Sequence, residues 1–152
     1  MTIRRESPLT SDLNLLFHRH HAACHADTPP ESIHMMPRSA LDRPDIAFFV
    51  LRGGDGVALG MGAIKTFAPG HGEIKSMHVL TEARGRGLSR QLLDHLIDAA
   101  RADGLTQLSL ETGVQPTFTA ARGLYLAAGF AECPPFGDYR PDPNSLFLTR
   151  AV

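Results

Sequence analysis

The strongest chemical signal in the sequence is the turn Arg84-Gly85-Arg86-Gly87, which is followed by Leu88 and Ser89. It lies between an apolar run and a segment with helical spacing. The first N–H groups of a helix are free to bind an anion, and the helix dipole adds positive potential there. Glycines let the backbone approach a phosphate closely, and arginines supply charge. The turn therefore predicts a site for a ligand that carries a pyrophosphate.

Two common nucleotide-binding motifs do not match this turn. A Walker loop requires Lys and then Ser or Thr after its last glycine, and these residues are absent. A dinucleotide fingerprint requires a third glycine at the position of Arg90. A glycine-rich cap on an ordinary helix stays open as the alternative without a ligand.

The turn is similar to a cofactor motif of the GNAT N-acetyltransferase family, R/Q-x-x-G-x-G/A. The matching residues are Arg84-x-x-Gly87-x-Ser89, with serine in place of the last small residue. Serine is small enough to fit and has a hydroxyl that can donate to a phosphate. The resemblance implies acetyl-CoA as the ligand of this turn.

A second segment resembles the other signature of that family, at the expected distance from the first. It reads Ala121-x-x-Leu124-Tyr125-x-x-x-Gly129-Phe130. The order of the predicted elements also matches the family, so the resemblance covers nearly the whole chain. It implies an enzyme that transfers acetyl from acetyl-CoA to an amine by direct attack.

The resemblance also implies catalytic groups. An attacking ammonium must first lose a proton, and Glu73 matches the general-base glutamate of some members. Tyr125 matches the acid that protonates the leaving thiolate. A surface carboxylate paired with Lys75 stays open for Glu73, and a tyrosine with its hydroxyl at the surface stays open for Tyr125. Many members have Asn where this chain has Phe118, so no side-chain hydrogen bond to the pantetheine arm is expected there.

The remaining cofactor contacts come from the strand that precedes the turn. The family splays its sheet at Met77-His78-Val79, and backbone N–H groups there are the candidates for binding the thioester oxygen. Together with Arg84, Gly85, Arg86, Gly87, Leu88 and Ser89, these residues form the predicted cofactor site.

Four residues are candidates for binding the acceptor. His34 lies in a loop that borders the acceptor pocket in the family, and Glu111 ends a predicted strand beside the splayed edge. Asp138 and Tyr139 belong to the proline-stiffened segment 134–144, and long connections inside compact domains are often functional. For each of the four, an ordinary surface role stays open.

Metal and nucleic-acid ligands are not predicted. His18, His21 and His25 share a helical face at a spacing that can bind zinc, but no cysteine or carboxylate cluster accompanies them, and a solvated polar face is favoured. Fifteen basic against sixteen acidic residues give a formal charge of -1, which removes the attraction that nucleic-acid binders use.

The bulk sequence predicts a cytoplasmic protein that is not bound to a membrane. Its two cysteines, Cys24 and Cys133, do not form a disulfide framework. No apolar run reaches the roughly 18 residues that a membrane span needs. Dimers are frequent in the resembled family, so a homodimer is a further possibility.

The predicted fold is that of the GNAT family: an α/β (α+β) domain over 1–152 with a mixed, mostly antiparallel sheet. Helices lie on both sides, and the sheet is splayed between the fourth and fifth strands. The expected acceptor is a primary amine of a small molecule; a peptide or protein amine, and a CoA-binding sensor without catalysis, are the alternatives. The predicted strands cover 2–5, 46–51, 57–67, 73–79, 105–111, 130–133 and 146–150, and the helices 10–26, 88–103 and 117–128.

Overall fold

A computed structural model describes all residues, 1–152, and its centre is one seven-stranded sheet with the order β1-β2-β3-β4-β5-β7-β6. Only β4 and β5 are parallel, as the intervening helix requires, and every other neighbouring pair is antiparallel. The mixed, mostly antiparallel sheet is therefore confirmed. The strands are β1 (Thr2–Arg5), β2 (Ile46–Arg52), β3 (Ala58–Ala68), β4 (His71–Val79), β5 (Gln107–Gly113), β6 (Ala131–Glu132) and β7 (Ser145–Ala151).

Three α-helices cover the two faces of the sheet. They are α1 (Asn14–His25), α2 (Leu88–Ala102) and α3 (Thr119–Ala127). Successive residues of a strand point to opposite faces. Phe48 stacks on Phe17 of α1 at 5.8 Å, whereas Phe49 packs edge-on against His95 of α2 at 5.3 Å. Helix α1 therefore lies on one face and α2 on the other, where α3 shares a hydrophobic core with it.

The boundaries of the helices differ from the predicted ones at their N-termini. The predicted helix 10–26 begins with a 3-10 turn at Ser11–Leu13, and the predicted helix 117–128 is preceded by one at Pro116–Phe118. Proline fixes the backbone of the second turn but supplies no N–H, so a short tight turn precedes the regular helix. None of the helices combines the length and the apolar composition that crossing a lipid bilayer requires.

The sheet opens between β4 and β5. Their parallel pairing joins only His71–Glu73 to Gln107–Ser109, although β4 continues to Val79 and β5 to Gly113. Beyond Glu73 the two strands diverge, which leaves a gap through the sheet. The predicted splay is thus present, and it begins at the residue proposed as the general base.

Candidate active site

A β-bulge in β4 redirects the strand at this gap. Met61 pairs with His78 and Ala63 with Lys75, so two residues of β4, Ser76 and Met77, face one residue of β3. Ser76 has a φ of 55°, a left-handed conformation that a residue with a side chain rarely adopts. Simple alternation would place Met77 on the face of Lys75. The extra residue moves it to the opposite face instead.

A cavity of about 140 Å³ occupies the gap, and we call it the inner cavity. Tyr125 of α3 and Met77 line it from one face of the sheet, and His20 and Cys24 of α1 line it from the other. Glu73 also lines it, on the face of α1. The cavity therefore brings the two proposed catalytic side chains to one space that passes through the sheet.

Tyr125 is buried, with 7% of its surface exposed, and its hydroxyl points into the protein. The hydroxyl donates to Met77 Sδ at 3.6 Å, and the ring packs edge-on against Phe130 at 5.8 Å. The alternative of a surface hydroxyl is therefore excluded. Burial raises the pKa of Tyr125 above its usual value of 10, because the phenolate would lose its hydration. The phenol is thus protonated at neutral pH.

Glu73 is a buried carboxylate that two side chains hold from one side. Lys75 Nζ and Tyr139 Oη donate to its Oε2 at 3.1 and 2.5 Å, and Lys75 also donates to Tyr139 Oη at 3.1 Å. No protein group donates to Oε1. Glu73 is therefore paired with Lys75, as the alternative interpretation held, but only 5% of it is exposed and its second oxygen is available to a ligand.

The proposed cofactor turn forms the start of α2. Gly85 and Gly87 have φ values of 80° and 71°, a conformation that favours glycine, and Gly87 is the N-cap. No side chain caps the helix, and its first turn contains no acidic residue. Arg84 and Arg86 are exposed beside it. Free N–H groups and two cations thus fit the pyrophosphate of a CoA thioester, on the turn that the sequence predicted.

Comparison with known proteins agrees with this geometry. The model of the acetyltransferase (GNAT) family matches residues 13–130. The chain belongs to the GNAT acetyltransferase family. The uncharacterized N-acetyltransferase YsnE of Bacillus subtilis (strain 168) is 44% identical over 125 residues, covering 82% of each chain.

Two further comparisons extend the similarity over the full length. The IAA acetyltransferase of Azospirillum brasilense is 42% identical over 153 residues, which is 100% of this chain and 98% of that protein. A GNAT acetyltransferase structure from Staphylococcus aureus Mu50 has a TM-score of 0.74 at 16% identity, covering 99% of this chain and 98% of that one. This last likeness shows the shared fold alone.

The other four residues of the predicted cofactor strand and turn are His78, Val79, Leu88 and Ser89, of which Ser89 is half-buried as the second residue of α2. Val79 and Leu88 are buried in the core of this GNAT domain, so only their main-chain atoms are available to a ligand. His78 is half-buried and packs edge-on against His20 at 5.5 Å. Burial lowers the pKa of both histidines to about 4, and Arg84 contributes at His78. Both rings are therefore neutral near pH 7.

The predicted acceptor residues gather on the face of α1. A second, larger cavity of about 650 Å³, the outer groove, adjoins the inner cavity and shares Glu73, Lys75, Tyr139 and His34 with it. The His34 ring packs edge-on against Tyr139 at 5.2 Å. Burial beside Glu73 raises the pKa of Tyr139, so this phenol also stays protonated.

Glu111 and Asp138 occupy different parts of these spaces. Glu111 is half-buried in the inner cavity, and its carboxyl forms no ion pair, although the Ser145 hydroxyl beside it favours the charged form. Burial raises the pKa of this carboxyl. Asp138 is exposed and lines the outer groove only. The structure thus brings all four predicted acceptor residues around one pair of cavities.

Several lining residues were not predicted as site residues, among them Cys24, Met35 and Phe118. The Phe118 ring can pack closely against the end of β5 because the residue there is Gly113. A Cβ at this position would lie only 2.4 Å from the ring. The glycine is visible in the sequence, but the contact is not local.

The three histidines considered for zinc lie on α1. The His21 and His25 rings stack at 3.9 Å, and no group of three His, Cys, Asp or Glu side chains is arranged to hold a metal ion.

Proposed function

We propose that this chain transfers acetyl from acetyl-CoA to a primary amine of a small molecule. One observation carries the proposal: a proton acceptor, Glu73, and a proton donor, Tyr125, line the same cavity from opposite faces of the sheet. Acyl transfer to an ammonium needs a proton acceptor for the attacking nitrogen, and a proton donor assists departure of the sulfur. Membership of the family supplies the reaction class.

The thioester fits the side of the cavity that carries α2 and α3. The N-terminus of α2 and the exposed Arg84 and Arg86 suit its pyrophosphate. The pantetheine arm then reaches the bulge at Ser76 and Met77. A bulge leaves ladder N–H groups without a strand partner, and such a group can bind the thioester oxygen as negative charge develops on it.

The amine then approaches from the face of α1, through the outer groove. Its ammonium gives a proton to Glu73, directly or through a water, and Oε1 is the oxygen free to accept it. The nitrogen attacks the thioester carbonyl and forms the amide bond as the carbon–sulfur bond breaks. Tyr125 donates its proton to the leaving thiolate, which departs as the thiol of CoA. The attacking nitrogen loses its second proton as the amide forms, and this proton restores the Tyr125 hydroxyl.

A small acceptor is favoured over a basic peptide by the size and charge of the outer groove. Its volume of about 650 Å³ falls within the roughly 300–1,000 Å³ that is usual for small-molecule sites. Three cations line it together with four carboxylates, so no strongly acidic surface is present. The charged lining residues are Lys65, Lys75, Arg140, Glu31, Glu73, Asp138 and Asp142.

The test is a titration of the protein with acetyl-CoA, followed by an assay of thiol release with a panel of amines and with IAA, which the Azospirillum relative names. Glu73→Gln keeps the shape of the side chain but removes the proton acceptor. We expect roughly 100- to 10,000-fold slower release with acetyl-CoA binding retained. Glu132→Gln, an exposed carboxylate on β6, is the matched control and should keep the parent rate.

The result separates the candidate functions. Binding followed by thiol release with a small amine supports the proposal. Release only with peptides would favour a peptide or protein amine as the acceptor. Binding without release from any acceptor would favour a sensor of the cofactor, and absence of binding would refute all three.

A further inference from the structure

The outer groove contains a wall of aromatic side chains beside the proposed base. Phe67 comes from β3, and Phe136 and Tyr139 come from the segment 134–144. The Phe136 ring lies 5.5 Å from Phe67 and 5.1 Å from Tyr139, centre to centre. Tyr139 is the residue whose hydroxyl donates to Glu73. The wall therefore begins at the catalytic carboxylate and continues outward.

This wall is fixed by the core beneath it. Phe136 and Tyr139 pack against Phe147 of β7 at 6.0 and 5.4 Å, and Phe147 is only 5% exposed. The chain turns between the two rings with a hydrogen bond from Tyr139 N to Phe136 O, and Gly137 has a φ of 55°. The glycine allows the turn to bring both rings back over the groove. The aromatic surface is thus preformed rather than assembled by a ligand.

Charge gives the groove little selectivity. Lys65 and Arg140 line it without a carboxylate within ion-pair distance, but Glu31 and Asp138 line it equally unpaired. A charged group on a ligand would therefore find both signs nearby. The aromatic rings are the feature that distinguishes this groove from an ordinary polar surface.

We propose that the acceptor is an aromatic amine, whose planar body packs against Phe67 and Phe136 while a short arm carries its nitrogen to Glu73. This inference rests on the proposed function for the place of acetyl transfer and adds the class of acceptor. Pairs of aromatic rings prefer edge-on or offset contacts. Each such pair stabilises a complex by about 0.5–1.5 kcal/mol more than the burial of the same apolar area alone. Phe136 and Glu73 both contact Tyr139, so a short arm is sufficient to join the two positions.

The first test compares two acceptors that differ only in aromaticity, 2-phenylethylamine and 2-cyclohexylethylamine. Phe67→Leu and Phe136→Leu keep an apolar side chain but remove the ring. We expect each to raise the KM for the aromatic amine about two- to twelvefold relative to that for the cyclohexyl amine, and to leave the KM for acetyl-CoA unchanged. Phe17→Leu is the matched control, since this half-buried ring lies on α1 outside both cavities.

The second test measures binding without catalysis. The protein contains no tryptophan, so indole emission reports only an added probe. Tryptamine should change its emission on binding to the parent protein and to Glu73→Gln, more weakly to Phe136→Leu, and 2-phenylethylamine should displace it.

The outcomes of the two tests are distinct from those of the proposed function. Thiol release with aliphatic amines that equals release with aromatic ones, or equal loss of both in the leucine variants, overturns the aromatic acceptor and leaves acetyl transfer intact. Tryptamine binding that is lost in Phe136→Leu supports the aromatic site even if no amine releases thiol. Binding that is unchanged in both leucine variants refutes it.

Discussion

Replacing Tyr125 with phenylalanine separates a catalytic from a structural role because the buried ring is retained. The change removes one hydroxyl, whose only partner is the thioether sulfur of Met77 at 3.6 Å. Sulfur is a weak acceptor, so little bonding is lost on the folded side. Phenylalanine also fits the space of the tyrosine ring beside Phe130.

The structure therefore predicts two very different magnitudes for this variant. The free energy of unfolding should change by less than about 1 kcal/mol, since a net hydrogen bond contributes about that much even with a good acceptor. Loss of a general acid should slow the chemical step roughly 100- to 10,000-fold, which corresponds to about 2.7–5.5 kcal/mol in the barrier. The expected change in the activation barrier is therefore at least about twice the expected change in the free energy of unfolding.

The assay measures thiol release from acetyl-CoA at saturating amine, with acetyl-CoA affinity by titration and unfolding by urea on the same preparations. The chain has one other tyrosine, so Tyr139→Phe is the natural comparison. That variant removes a donor to Glu73 rather than to the leaving group. We expect it to act on the attack by the amine, while Tyr125→Phe acts on departure of the thiol.

A Tyr125→Phe variant that keeps the parent rate would remove this residue from the mechanism. A loss of rate that matches an equal loss of folded protein would show a structural role. Only a large fall in kcat, with acetyl-CoA affinity and stability retained, agrees with protonation of the thiolate.

Three further predictions follow from the backbone and the buried titratable groups. Gly87→Ala should destabilise the fold by about 1–2 kcal/mol and weaken acetyl-CoA binding, because Gly87 has a left-handed φ of 71°. Gly54→Ala is the control, since a Cβ there would have no neighbour within 4 Å, and it should change neither the melting temperature nor the affinity for acetyl-CoA measured by titration. His20 and His78 have pKa values lowered from 6.5 to about 4, so the unfolded chain binds more protons between these values. Stability to urea should therefore fall as the pH drops from 6.5 to 4, by roughly 3 kcal/mol per histidine at most, and a His78→Gln variant with the same slope would contradict this. Burial raises the pKa of Glu111 above 4.5, so its carboxylate opposes folding above that pH. Glu111→Gln should be as stable as the parent or more stable at pH 7 but have a higher KM for the amine, and lower stability in urea would show an ion pair that the structure does not contain.

The order of the elements and the position of the glycine turn at the start of α2 could be predicted from the sequence because their signals are local. The apolar residues of α2 recur on one face, and the glycines that begin it stand beside them in the chain. The parallel pairing of β4 and β5 followed from the helix between them. The splay itself came from resemblance to the family rather than from any residue pattern.

The contacts that define Glu73 could not be predicted because they join distant parts of the chain. Tyr139 lies 66 residues further along, in a segment without a regular pattern. The bulge at Ser76 was not predicted, although the alternation breaks there: Lys75 and Ser76 are both polar, so Ile74 and Met77 lie three residues apart instead of two. A change of register is a property of two paired strands, and only the pairing shows that Met77 has changed faces.

The arrangement of the two faces argues for direct transfer between substrates that are bound together. A route through an acetylated enzyme would need a nucleophile in the inner cavity, and Cys24 is the thiol that lines it. Burial, with a smaller effect from Glu111, raises the pKa of this thiol to about 11, so its reactive thiolate is scarce at neutral pH. In the proposed mechanism the thioester and the amine instead reach the gap from opposite faces and do not compete for space. Initial rates should therefore give intersecting rather than parallel double-reciprocal lines, and mass spectrometry of the protein incubated with acetyl-CoA alone should find no acetyl group on Cys24. Parallel lines together with an acetylated Cys24 would refute direct attack.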